Sequence, residues 1–171
     1  MTALTSTDAL ALVERIRPIV EEHATEGELN RQLSPAVYDA FRDSGLLRLS
    51  LPAAYGGLEV DPITAIGVFE ALAAIDGSAA WVLNQHYSIC TLATWASAGM
   101  DEFFADPDVH WAGVFWPPCS AERTDGGYRV TGRLGFGSGC GRATWFLAPA
   151  IAMEAGDPCP TRPPASPTSS P

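Results

Sequence analysis

The chain contains no lysine: all ten of its basic residues are arginine, set against 20 acidic ones, for a net charge of −10 over 171 residues. Without lysine there is no amine for a P-loop or a Schiff base. So few cations cannot build a strongly basic face, which argues against nucleic acid and against anionic membrane surfaces as partners. The four cysteines, Cys90, Cys119, Cys140 and Cys159, lie 29, 21 and 19 residues apart, with no CxxC pair and no histidine at ligand spacing. That pattern predicts no zinc and no other metal site. Met1–Arg17 lacks a basic region followed by an apolar core, so no secretory signal is read and a cytoplasmic setting with reduced thiols is expected. One uncharged stretch, between Asp76 and Asp101, is close to the ~20 residues of a membrane span. Asn84, Gln85, His86, Ser88 and Thr91 interrupt it, which predicts a helix buried in protein.

What is present reads first as helix. Leu10, Val13, Ile16 and Val20 recur at three- and four-residue steps while Glu14, Glu21 and Glu22 fall on other faces, predicting an amphipathic helix from about Asp8 to His23 that Pro18 should bend. Ser34-Pro35 supplies an N-cap and a first-turn proline, Val37, Tyr38 and Phe41 form a stripe, and Gly45 ends this second helix. Leu46–Leu51 is an apolar connector. Pro52-Ala53-Ala54-Tyr55-Gly56-Gly57 reads as an ordered tight loop, with positive φ expected at its glycines. Asp61-Pro62 repeats the cap-plus-proline start, and Ile63, Ile66, Val68, Phe69, Leu72 and Ile75 make the third helix apolar nearly all round, as in the middle of a bundle. Gly77-Ser78 precedes a fourth, uncharged helix, Ala79–Ala98, and a short acidic helix follows at about Asp101–Phe104.

The period changes at Trp111. Ala112, Val114 and Trp116 alternate, as do Tyr128, Val130, Leu134 and Phe136 after the turn signal Asp125-Gly126-Gly127, and Thr144–Ala150 is a third apolar run suited to a strand covered on both faces. Residues 1–110 hold 16 acids and 5 Arg, whereas 111–150 hold 2 acids and 4 Arg, a change of sign that suits an anionic ligand at the junction or is ordinary surface variation. Residues 151–171 carry 6 of the 14 prolines and show neither helical nor strand period. The expected fold class is therefore α+β: an N-terminal all-α helical bundle over 1–110, an incomplete antiparallel β domain over 111–150, and a Pro-rich unstructured tail over 151–171.

This order of features resembles the acyl-CoA dehydrogenase superfamily of flavoproteins over roughly Asp8 to Ala150. The most specific residues are Asp125-Gly126-Gly127-Tyr128-Arg129-Val130-Thr131-Gly132-Arg133, then Phe136-Gly137-Ser138-Gly139-Cys140, then Ala143-Thr144-Trp145-Phe146-Leu147. They are similar to the branch of two-component flavin monooxygenases. Leu51-Pro52 with Tyr55-Gly56-Gly57 and Asp76-Gly77-Ser78-Ala79-Ala80 are shared across the superfamily. The Thr-Glu-Pro and Gly-Ser-Asp of the dehydrogenases do not occur at Val114-Phe115-Trp116-Pro117, Leu134 stands where the monooxygenase branch usually has Trp, and Cys119 where Gly is usual.

The resemblance implies FAD or FMN as cofactor, a small-molecule substrate, and a homo-oligomer in intact relatives. It places two segments against the flavin ring: Val114–Pro117, with Phe115 and Trp116, and Phe136–Gly139, in which Phe136 packs on the ring, Ser138 offers a hydroxyl to the flavin edge and Gly139 completes the turn. His86 matches a helical-domain histidine that relatives use as a base or hydrogen-bond donor beside the flavin, so His86 and Ser138 are the implied catalytic pair. As residues alone, His86 also reads as satisfied in a polar patch with Asn84 and Gln85, Phe115 and Trp116 as core, and His23 and His110, beside acidic residues, as solvent-exposed. The implied activity is a flavin-dependent oxidoreductase, monooxygenase-like or acyl-CoA dehydrogenase-like, present as an N-terminal fragment with impaired activity. The alternative is a noncatalytic truncated fragment or a helical interaction module. The change at Ala150 to Pro/Ala/Ser/Thr-rich sequence is what a frameshift in a GC-rich gene would produce, and an Arg-only basic set fits such a gene.

Overall fold

A computed structural model describes residues 5–93, 99–106, 108–116, 118–154 and 156–158. Thr5 opens the first helix, its hydroxyl accepting the Asp8 N–H at 3.2 Å. Helix α1 then runs from Ser6 to Asn30, through Pro18, and ends on Arg31 in the left-handed region. It outlasts its apolar stripe by two turns because Ala24, Glu26, Glu28 and Leu29 favour helix on propensity alone. Its buried line is Ala9, Val13, Ile16 and Val20, with Leu10 facing outward in place of Ala9. Helix α2, Pro35–Ser44, starts where Ser34 Oγ accepts the Val37 N–H and stops at Gly45.

Between α2 and the next helix the chain makes two short 3₁₀ turns, Leu46–Arg48 and Ala53–Tyr55. The strand-like returns Leu58 N–H to Arg48 O (2.8 Å), Val60 N–H to Leu49 O (2.9 Å) and Glu59 N–H to Leu51 O (3.1 Å) lay residues 58–60 along 48–51. Gly56 has the expected positive φ, 75°, whereas Gly57, also expected there, does not. Helix α3, Pro62–Ala73, is capped by the Asp61 carboxylate, which accepts from the Ile63 and Thr64 N–H groups and from the Thr64 hydroxyl; these bonds hold its pKa below the usual carboxylate value. Helix α4, Gly77–Ala93, begins under the Asp76 carboxylate, which accepts the Ala79 N–H at 2.6 Å. The expected continuation to Ala98 lies outside the described residues. Helix α5, Met100–Phe103, is the short acidic one.

Contrary to the expectation from its composition, α3 is not enclosed. It buries Thr64, Ala65, Val68 and Leu72 against its neighbours while Ile63 and Ile66 stay exposed, at 81% and 62%. Apolar composition allowed burial on any face, and packing used one.

The chain folds as two units. The first comprises residues up to Gly113 together with Gly137–Leu147. Strand β1, Trp111–Gly113, belongs to it and pairs in parallel with Trp145–Leu147, 34 residues later. One core cluster joins α1–α4 through Phe41, Leu46, Leu49, Val68, Leu72 and Leu83. A second gathers Leu51, Ile89, Cys90, Phe104, Val109 and Trp111. Each fully buried Leu or Phe contributes about 1.5–3 kcal/mol. Phe103 meets Trp111 and Trp145 edge-on, and those two indoles stack at 5.7 Å.

The second unit comprises Val114–Phe136 and the described residues from Ala148 on. Strand β2 (Cys119–Thr124) and β3 (Gly127–Thr131) form an antiparallel hairpin at the turn signal Asp125-Gly126-Gly127, with Gly126 at φ 78°, while the alternation expected over 112–116 and 128–136 yields strand only at 111–113 and 127–131. Arg123 and Tyr128 face each other across it, hydrogen-bonded at 3.0 Å. Calling the earlier Trp145–Leu147 strand β4, the apolar run 144–150 divides: β4 stays in the first unit, and β5, Ala150–Glu154, pairs in parallel with β2 and antiparallel with β6, Asp157–Pro158. The α+β class holds, with mixed pairing in place of purely antiparallel strands. Residues 151–154 and 157–158 were expected to carry no strand; backbone pairing, which needs no apolar alternation, makes them one. Residues 159–171, Cys159 among them, lie outside the described residues. Cys90 and Cys119 are buried free thiols and Cys140 is exposed; burial pushes the Cys90 thiol pKa up. Among the described residues no helix is long and apolar enough to cross a membrane.

Candidate functional site

In the first unit, residues 137–142 form one tight turn. Cys140 N–H donates to Gly137 O at 3.0 Å and Arg142 N–H to Gly139 O at 3.2 Å. Gly139 is at φ 80°, and a Cβ on it would lie 3.0 Å from His110 Nε2 and 3.1 Å from Val82 Cγ1, so only glycine lets the turn lie this close to α4 and His110. Ser138, half-buried, rides on that turn. Its Oγ accepts the indole N–H of Trp81 at 3.1 Å, from a residue 57 positions earlier on α4.

Beneath the turn sit two histidines, each 1% exposed and stacked at 4.9 Å with rings 12° apart. His86 Nδ1 accepts the Trp111 N–H at 3.0 Å, so its proton is on Nε2, which donates to Leu47 O at 2.6 Å. Both nitrogens are therefore spent on backbone, tying α4 to the 46–48 turn and to β1. His86 was implied as a catalytic partner of Ser138; the geometry gives it a scaffold role and leaves it no nitrogen for a ligand. Asn84 and Gln85 are not its partners either.

His110, expected at the surface because of Asp106 and Asp108, is in fact enclosed between His86, the Tyr38 ring (4.8 Å, edge-on) and Gly139. Thr144 fixes its backbone, accepting the His110 N–H at 3.0 Å and donating its own N–H to the His110 carbonyl at 2.9 Å. Its Nε2 lies against the Gly139 backbone without closing a well-formed hydrogen bond. The parallel pairing of β1 with β4 is what brings His110 and Thr144 together. No local sequence signal marks this, since the pairing partner is 34 residues away.

Burial holds His86 at a pKa of about 4 and His110 at about 3, the latter helped by the neighbouring His86. Both lie below the 6.5 of a free histidine, so between those values the unfolded chain binds protons that the folded one refuses. Their share of stability is complete above about pH 6.5 and is lost as pH falls toward 4, at about 1.4 kcal/mol per pH unit for each histidine. Urea midpoints compared at about pH 7 and about pH 5 should fall accordingly; equal midpoints would contradict the buried neutral pair.

The remaining residues implied by the resemblance lie in the second unit. Phe115 and Trp116 are exposed, at 55% and 78%, rather than core. Phe136 is fully exposed at φ 60°, an uncommon backbone state for a bulky side chain that turns its ring outward. Pro117 lies outside the described residues. Sequence reasoning missed Trp81, which hydrogen-bonds Ser138, and misplaced His110, which packs under Gly139.

The profile of the acyl-CoA dehydrogenase N-terminal domain matches residues 6–104, the span of α1–α5. The chain belongs to the acyl-CoA dehydrogenase family. Among relatives, this acyl-CoA dehydrogenase-family chain is 36% identical over 123 residues to the indole-3-acetate monooxygenase of Pseudomonas putida, covering 70% of itself and 32% of that protein. It is 30% identical to a pigment production hydroxylase of Rhodococcus sp., covering 90% of itself and 40% of that protein. Its fold superposes with a TM-score of 0.87 and 33% identity on XiaF from Streptomyces sp., solved in complex with FADH2 and glycerol, over 90% of this chain and 40% of that one. The family chain thus spans 32–40% of the length of these proteins.

The Ser138 turn suits the edge of a flavin ring: one lone pair of Oγ is taken by Trp81, while its proton has no acceptor among the described residues. Phe136 offers an open aromatic face. His86 does not suit a flavin contact.

Proposed function

We propose that the chain takes part in flavin-dependent monooxygenation of a small aromatic substrate. The observation that carries this is Ser138, fixed on a rigid turn with its hydroxyl proton free, inside the motif that matches flavin monooxygenases. Similarity to an oxygenase whose name specifies indole-3-acetate supports an aromatic substrate, and the FADH2 in XiaF supports FAD over FMN. Bound reduced flavin supplies the electrons that activate dioxygen. The chain's own part is positional: Ser138 hydrogen-bonds the flavin edge, Gly139 lets the backbone approach, and His86 holds α4 and β1 in register beneath.

The test is titration of the purified chain with FAD and with FMN, followed by the visible flavin band, and then oxygen-dependent hydroxylation of indole-3-acetate with a flavin reductase supplying reduced flavin. A perturbed band, with FAD bound more tightly than FMN, is the expected result. A folded chain that perturbs neither flavin would overturn the reading and favour a helical interaction module.

A further inference from the structure

We propose that Trp81 is the positioning residue for the Ser138 hydroxyl. The inference rests on the flavin reading above, and deepens it by naming what aims the one hydroxyl that reading depends on. An indole N–H can only donate, so at 3.1 Å it must occupy a lone pair of Ser138 Oγ. That contact removes the free rotation of a serine χ1 on a half-exposed turn. What remains to face a ligand is the hydroxyl proton and the second lone pair, in the two positions the Trp81 bond leaves open.

Two features make Trp81 able to hold this position. It stands on α4 next to Val82, whose methyl would lie 3.1 Å from a Cβ on Gly139, so the same helix turn supports the backbone and the side chain of the Ser138-Gly139 pair. Its helix is anchored five residues on by the two backbone bonds of His86. Its ring also lines an open, largely apolar groove of about 490 Å³ between α3 and α4, together with Ile66, Phe69 and Ala80. Trp81 remains 56% exposed, too open for an aromatic whose purpose is core packing. Its polar end, bonded across 57 residues, accounts for its placement better than its area does.

The experiment uses Trp81→Phe, which keeps an aromatic wall and deletes the N–H, with Ser138→Ala and the double variant. The first readout needs no flavin. Of the five indole N–H signals in an ¹⁵N-resolved NMR spectrum, one should vanish in Trp81→Phe and the same one should move in Ser138→Ala. The second is the flavin titration: each single variant should weaken flavin binding about fivefold, the worth of one neutral hydrogen bond. The double variant should be no weaker than either single one, because both remove the same aimed hydroxyl. Binding in Trp81→Phe equal to wild type while Ser138→Ala weakens overturns the positioning role and leaves the flavin reading standing. Additive losses in the double variant also overturn it. A wild-type chain that perturbs no flavin, with the NMR coupling intact, overturns the flavin reading and with it the purpose assigned to Trp81; an indole signal indifferent to Ser138→Ala overturns the contact itself.

Discussion

Gly57→Ala is expected to cost roughly 4 kcal/mol or more, enough to unfold much of the helical unit. A Cβ on Gly57 would overlap the Leu51 carbonyl oxygen and lie 2.5 Å from the Leu51 Cβ. Both are parts of the chain that cannot swing aside: Leu51 is 1% exposed, and its carbonyl accepts the Glu59 N–H at 3.1 Å. Relief would require separating residues 58–60 from 48–51, breaking the bonds that close the loop. Gly67→Ala is the matched control. It sits inside α3 with nothing within 4 Å of the added methyl, so helix propensity alone decides and a gain of about 0.5–1 kcal/mol is expected. Urea denaturation followed by helical circular dichroism checks both; a Gly57→Ala midpoint within error of wild type would show that the loop can open at little cost.

His86→Ala should destabilise the chain by roughly 3–5 kcal/mol. It leaves the Trp111 N–H and the Leu47 carbonyl buried without partners, at about 1–3 kcal/mol each, and adds a cavity under His110. His86→Phe refills the volume without restoring either bond and should recover only the cavity part. If His86 served chiefly as a base beside a flavin, the opposite pattern would hold: activity lost, with the denaturation midpoint unmoved. The two readings of this histidine are thereby separated by a stability measurement on the chain alone.

Much of the helical unit was legible in the sequence because its signals are local. The Ser34-Pro35 and Asp61-Pro62 starts, the Gly45 stop and the positive φ at Gly56 each depend on a few neighbouring residues, and all stand where expected. The same holds for the two-residue turn at Asp125-Gly126. Periodicity failed where burial and pattern part company. The tail of α1 has no apolar stripe yet is helical, and α3 has apolar residues on every face yet buries one. The 144–150 run read as one strand because composition cannot show that β4 and β5 join different partners.

The site divides along the same line. Ser138 and Gly139 were singled out from their motif as an expectation, whereas the side chains that the fold packs against them were not. His110 was read as exposed from its acidic neighbours in the chain, and its actual neighbours are Tyr38, His86 and Gly139, which come from three other segments.

By itself the sequence determined the order of the helices and the α+β class, the family, and the charge balance of an acidic, lysine-free chain. Those follow from propensities, turn chemistry and net charge, which act over a few residues or over the whole chain. Only the tertiary structure decided that His86 is a strut with both nitrogens spent, that His110 is buried, and that Trp81 holds Ser138. The first and the last rest on hydrogen bonds between residues 25 to 57 positions apart, and the second on ring neighbours 24 and 72 positions away. Directional hydrogen bonds of that kind exist only once packing has brought donor and acceptor within about 3 Å, and no local pattern in the chain records them.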